Sequence, residues 1–325
     1  MKNKLAMIKK ISWFFIFSFS MLWLIFSTMW ASMAVYFGDS STGSVQLIVS
    51  IAILVVGFSA VIVLLFVSSW RKRVITAQTI MFLAVILYWF NIHATNQRLW
   101  QTDVQKLAYA DVAGDFVTVY NIRNFSYRSE FDYQPNYYDK TLDLNKLEGV
   151  DLLAVYWMGP AIAHIMLTFD FGEKNQLAIS IEARKEVGEG FSTIKGFFRQ
   201  YELVYIVADE NDVVKLRTHY RHNPEEQVYR YRLKMKKDNA KRLFLEYIKN
   251  INAVYKTPVF YNTLFTNCTT VIWLQNKVNP NRLPFSWKIL LSGYVPEYLY
   301  ESNGLDQQLP FSKLRDQAYV NPLVK

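Results

Sequence analysis

The chain has 325 residues, 52% hydrophobic and 16% aromatic, with only 19% charged, against roughly 25% charged in an ordinary soluble domain. That composition excludes disorder, a coiled coil or a nucleic-acid-binding tail as its dominant character. The net charge of +9 invites a nucleic-acid or membrane-surface partner, until its distribution is read: residues 1–93 hold seven basic side chains and one acid, Asp39, whereas the remaining 232 hold 29 basic and 26 acidic.

Three uncharged stretches fill that first part: residues 11–37, 43–70 and 74–92. Each approaches or exceeds the roughly 20 residues needed to cross a hydrocarbon core, and only a helix satisfies its own backbone there. Three transmembrane helices are therefore predicted, at about residues 11–37, 45–69 and 74–92, with Trp70, Tyr88 and Trp89 near span ends, where such rings favour the interface. A cleaved signal peptide is the competing reading of the first span, since Ala31-Ser32-Met33-Ala34 resembles a cleavage site. Its apolar run is much longer than a signal core of roughly 7–15 residues, which favours an uncleaved anchor. Lys2, Lys4, Lys9 and Lys10 precede the first span and Arg71, Lys72 and Arg73 lie between the second and third, while the loop at residues 38–44 has no basic residue. The positive-inside rule then puts the N-terminus in the cytoplasm and everything after the third span outside. The excess charge is a topology signal, and no nucleic-acid partner is expected.

Residues 94–114 carry Leu99, Trp100, Val104 and Leu107 at helical spacing, which predicts a short amphipathic helix leaving the membrane. From residue 115 to 325 the pattern is mixed α+β. Residues 116–122, 152–156, 177–182 and 203–208 have strand character, as does the shorter 213–216. His164 opens a run of β-formers after Gly159-Pro160, and alternation puts His164, Met166 and Thr168 on one face. A turn at residues 172–175 leads to the next strand, where Ala178, Ser180 and Glu182 share a face. If the two strands form a hairpin, Glu182 or Ser180 would orient the His164 ring; the competing role for Glu182 is an ion pair with Arg184 or Lys185. His219 and His222 lie in a polar run that reads as an exposed loop. Residues 238–255 form a helix with an apolar stripe of Leu243, Phe244, Tyr247, Ile248 and Ile251, ended by Pro258. Pro280, Pro284, Pro296 and Pro310 punctuate an aromatic-rich tail expected to wrap over the domain, and residues 289–298 are a possible lining for an acyl groove.

The outer part contains one cysteine, Cys268, which has no partner for an internal disulfide. A lone cysteine is commonly a small buried hydrophobe. This one lies in Thr266-Asn267-Cys268-Thr269-Thr270, just before the apolar Val271-Ile272-Trp273-Leu274. Asn and Thr are helix N-cap residues, so Cys268 is predicted at or beside a helix N-terminus. The dipole and free N–H groups there stabilise a thiolate. A thiol nucleophile needs a base, and of the three outer histidines His164 is the candidate, with a purely structural role as the alternative. No cofactor motif is present, and with one Cys and three His in the outer part no zinc site is expected.

Residues 123–151, 164–171 (HIMLTFDF), 177–186, 198–209 and 261–270 (YNTLFTNCTT) resemble the Lnb N-terminal periplasmic domain family. The resemblance spans roughly residues 115–275, and the cysteine motif is its most specific part. It implies a circularly permuted papain-like fold of the NlpC type, with His before Cys, and lipoprotein transacylase chemistry: Cys268 as acyl carrier, His164 as base, and Glu182, or Ser180, as orienter. The expectation is a bacterial inner-membrane cysteine acyltransferase acting on lipid or lipoprotein. A papain-like cell-wall amidase or peptidase is the rival enzyme, and a non-catalytic envelope binding protein the rival from another class.

Overall fold

The computed structural model describes residues 2–38, 43–172, 175–280 and 282–322. The chain divides into two compact units, one of residues 1–94 with 194–200, the other of residues 95–193 with 201–325.

The first unit is built on three helices, α1 (Lys2–Phe37), α2 (Gly43–Phe66) and α3 (Arg71–Phe90). All three are long and apolar enough to cross a membrane. Their outward faces expose Phe15, Phe19, Ile48, Phe58 and Leu87, an apolar area that water would not tolerate on a soluble protein. Inside the bundle a polar seam joins the helices: buried Gln78 on α3 donates to Ser27 Oγ at 3.1 Å and Thr28 Oγ1 at 2.9 Å on α1. A Cβ at Gly57 would collide with the Thr28 side chain, so the small residue is what lets α1 and α2 close up. Residues 194–200 belong to this unit as well, which the sequence reading assigned to the outer part. Phe198 packs on Trp30 and Phe37. Arg199, held at φ 59°, lies 4.1 Å over the Trp89 ring and donates to the carbonyls of Trp89 and Ile92 at 3.0 and 2.9 Å. The Trp89 carbonyl is one that the C-terminus of α3 leaves open, so a cation there is favoured. Asp39 and residues 40–42 of the predicted outer loop lie outside the described residues.

The second unit is mixed α and β. Its sheet contains β1 (Tyr109–Ala113), β2 (Phe116–Arg123), β5 (Tyr137–Asp143), β6 (Gly149–Tyr156), β7 (Ala163–Asp170), β8 (Gln176–Arg184), β9 (Glu202–Ala208) and β10 (Gln227–Arg232); β3 (Ser126–Tyr127) and β4 (Tyr133–Gln134) pair separately. The order is β1-β2-β9-β8-β7-β6-β10, with β5 also on β2. All pairings are antiparallel except the short β2–β9 contact. The central strands are buried on both faces. Ile165, Leu167 and Phe169 of β7 join Leu243, Phe244 and Tyr247 of α5 (Lys237–Lys256) in one core. Met166 of β7, with Ala178 and Ile206, meets Val213 and Val214 of α4 (Glu210–Lys215) in the other. The chain ends in short helices over the first core, α6 (Cys268–Gln275), α7 (Trp287–Leu290), α8 (Val295–Glu301) and α9 (Phe311–Ala318).

Two predicted elements differ. Residues 94–114 form no amphipathic helix: they run extended through one 3₁₀ turn at Thr102–Val104 into β1. Trp100 bridges to Glu186 and is buried with Val104 against the sheet, so tertiary pairing overrides a weak helical spacing. Residues 213–216, read as a strand, belong to α4 and the following π turn because Asp209 caps that helix, accepting from Asn211 N–H. The β7–β8 hairpin is present; Glu173 and Lys174 of its predicted turn lie outside the described residues.

Candidate active site

The thiol is placed by a capping box. Asn267 Oδ1 accepts from the N–H of Thr270 at 2.9 Å, and Thr270 Oγ1 accepts from the N–H of Asn267 at 3.0 Å. Cys268 is therefore the first residue of α6, with the positive end of the helix at its sulfur. Thr269 fixes the same turn by donating to the Ile289 carbonyl at 2.8 Å.

The imidazole is placed by a fork in the sheet. β7 and β8 pair from Asp170↔Gln176 to Leu167↔Ile179 and then part. Beyond that point β7 continues against β6 as far as Ala163, and β8 against β9 as far as Arg184. Backbone groups that would have bridged the two strands are released. One of them, the N–H of Ile165, donates to the Cys268 sulfur instead, beside the His164 ring. The start of β7 is pinned from the other side: Ala163 N–H donates to Ser292 Oγ at 3.0 Å, and Gly293 packs so closely on the Pro160 carbonyl that a Cβ would clash.

On β8, Ser180 and Glu182 share the face that carries His164. The Ser180 hydroxyl donates to Glu182 Oε1 at 2.7 Å, so its oxygen accepts from His164 Nε2–H at 2.6 Å. His164 Nε2 is also 3.2 Å from Glu182 Oε1. With Nε2 committed, Nδ1 is the nitrogen left for the sulfur. Behind Glu182 stands a guanidinium: Arg217 NH2 reaches Oε1 at 2.9 Å while its NH1 lies 3.2 Å from Glu226 Oε2. Arg221 pairs with the same Glu226 at 2.9 Å.

The electrostatics follow from this chain of contacts. Burial pulls the His164 ring down, but Glu182 and then the Cys268 sulfur outweigh it and raise it to about 9. For Cys268, burial works upward, yet the His164 charge, its hydrogen bond and the Ile165 N–H bring the thiol below its ordinary value. Burial also disfavours charge on Glu182, and His164, Arg217 and Ser180 together hold its carboxyl well below the usual range. The contacts that favour charge on the imidazole also favour charge on the sulfur, the direction that activates a sulfur nucleophile.

Cys268 and His164 line one cavity of about 520 Å³ with Trp157, Met158, Phe191 and Leu290. Its mouth is apolar, with Met158 and Phe191 exposed. Among the described residues no group of three or more His, Cys, Asp or Glu side chains is arranged to hold a metal. His219 and His222 are exposed and do not join the site. Arg217, Arg221 and Glu226 were missed in the sequence. They lie in and beside the charged run around His219, and what sets Arg217 apart is its place directly after Leu216 and one helical turn after Val213 and Val214, all buried.

A membrane-associated chain with an α+β domain and a thiol–imidazole–carboxylate constellation is the class this defines. Residues 133–293, which include every residue of the constellation, match the family model of the Lnb N-terminal periplasmic domain. No curated protein and no solved structure matches it.

Proposed function

We propose that the protein is a membrane-anchored, extracytoplasmic cysteine acyltransferase acting on lipid or lipoprotein. The observation that carries this is the buried thiol at a helix N-terminus, paired with an imidazole whose far nitrogen is held by Ser180 and Glu182. We read the sheet with the base on a strand ahead of the nucleophile's helix as a permuted papain-like domain. In the first step the thiolate attacks an ester carbonyl; the S–C bond forms, the C–O bond breaks, and the His164 imidazolium gives its proton to the leaving alkoxide. An amine then attacks the thioester and gives its proton to His164, and the C–S bond breaks, regenerating thiolate and imidazolium. Thr270 and Val271 N–H groups are taken up by the cap, so those of Cys268 and Thr269 are the donors available to the oxyanion.

The apolar cleft mouth favours an acyl chain over the polar cleft a cell-wall peptide requires. The outward orientation is supported within the helical unit. Phe198 and Arg199 dock at the C-terminal ends of α1 and α3, the ends that the basic residues at Lys4, Lys9, Lys10 and Arg71–Arg73 place away from the cytoplasm. Tandem mass spectrometry of the N-terminal lipopeptides from cells carrying wild type or Cys268→Ser tests the reading. A free α-amino group is expected in the variant, and unchanged N-acylation refutes transacylation.

A further inference from the structure

Further along α6 lies a second cavity, of about 590 Å³. Its volume is within the range of roughly 300–1,000 Å³ that small-molecule sites occupy. Its inner wall is the domain core itself: Leu152, Ile165 and Leu167 of the sheet, all at most 2% exposed, with Leu243, Ile272 and Leu299 from α5, α6 and α8. The pocket opens to solvent, so this inner wall is apolar surface that an apolar occupant would cover, while much of the rest of the lining is polar. The polar part of its lining has a definite sign, with four cations, Lys234, Lys236, Arg242 and Arg282, against one carboxylate, Asp238. Lys234 donates to Asn303, and Arg242 to Asn279 and Asn239, all neutral partners that leave the cationic charge uncompensated. Three of the four, Lys234, Lys236 and Arg282, are exposed.

We propose that this cavity binds an acyl tail of an anionic phospholipid, with the phosphate held at the rim by these cations. Apolar walls take the chain, and guanidinium groups suit phosphate oxygens better than an isolated ammonium does. The spanning helices keep the protein where such lipids are abundant, which favours phospholipid over free fatty acid as the source. Thr269 lines both this cavity and the catalytic cleft, so the first turn of α6 is the partition between them. The site is independent of whether Cys268 performs acyl transfer.

The test uses the full chain in neutral phosphatidylcholine nanodiscs containing a small fraction of phosphatidylglycerol with a diazirine on one acyl chain. After irradiation, adducts are expected on peptides covering residues 233–243, 269–276 and 287–299, besides those on the spanning helices. Leu299→Trp, which fills the cavity, abolishes the domain adducts. The surface double variant Lys236→Glu, Arg282→Glu, which leaves the core intact, reduces them roughly thirtyfold, at about 1 kcal/mol for each of the two lost cations, while helix adducts stay constant. Cys268→Ser labels like wild type. Labelling confined to the helices overturns the proposal. Equal labelling by photoreactive phosphatidylcholine overturns its anionic part, and labelling by photoreactive palmitate but not by the phosphatidylglycerol probe overturns the phospholipid source.

Discussion

Glu182→Gln should disarm the thiol without touching it. In the wild type the His164 ring rises from its usual 6.5 to about 9, about 3 kcal/mol in favour of the imidazolium. Glu182, 3.2 Å from Nε2, is the largest of the influences raising it, acting against burial and the Arg217 charge. A neutral amide keeps the shape and can still accept from Ser180 and Arg217, but the attraction is gone while burial and Arg217 remain. The ring pKa must then fall, the imidazolium is lost near neutrality, and the thiol loses the charge that depresses it. Cys268 is the chain's single cysteine, so the pH profile of iodoacetamide alkylation reports one site. The wild-type rate should be half-maximal below the free-thiol value of about 8.5. In Glu182→Gln the midpoint should move up and the rate near pH 7 fall, because loss of the imidazolium outweighs the lesser relief from removing the Glu182 charge, which by itself raises the thiol. Superimposable profiles for the two proteins would refute the claim that the carboxylate sets the charge state of the pair.

Arg217→Met leaves Glu182 and Glu226 without their shared cation; breaking a buried pair this way costs roughly 3–5 kcal/mol, so the sheet domain should melt markedly lower by near-UV circular dichroism, and an unchanged melt would show the clamp to be dispensable. Asn267→Ala removes the capping box; a loss of about 1 kcal/mol in denaturant unfolding is expected, together with slower alkylation of Cys268 as the first turn of α6 loosens. Glu202 is fully buried, and although Arg98 opposes it, burial raises its carboxyl to about 7 in the folded state. Between the unfolded value near 4.5 and 7 the native state binds more protons, so this group's contribution to stability is present below that window and falls as pH rises through it, by up to about 3 kcal/mol. Glu202→Gln should flatten the decline in unfolding free energy measured from pH 5 to 8, and an equally steep decline would show that another group is responsible.

What could be read along the chain was local. Three uncharged runs of sufficient length are helices because no other conformation satisfies a backbone in hydrocarbon. Asn267 and Thr270 dictate a helix start at Cys268 because the capping box is made within four residues. The face shared by His164 with Met166, and that shared by Ser180 with Glu182, follow from the period of a strand. The concentration of the net charge of +9 in the first third of the chain was likewise legible by simple position. Tertiary structure decided everything that depends on distant partners. Residues 99–107 have helical spacing but become an extended segment because Trp100 finds a place against the sheet. The parting of β7 from β8 above Leu167, which frees the Ile165 N–H for the sulfur, depends on which neighbours each strand keeps. Arg217 reads as part of a solvated charge run until the fold folds it under Glu182, 35 residues away. No period or cap encodes such a contact. It is chosen by the energy of leaving a buried carboxylate unpaired, which exists only once the core around it has closed.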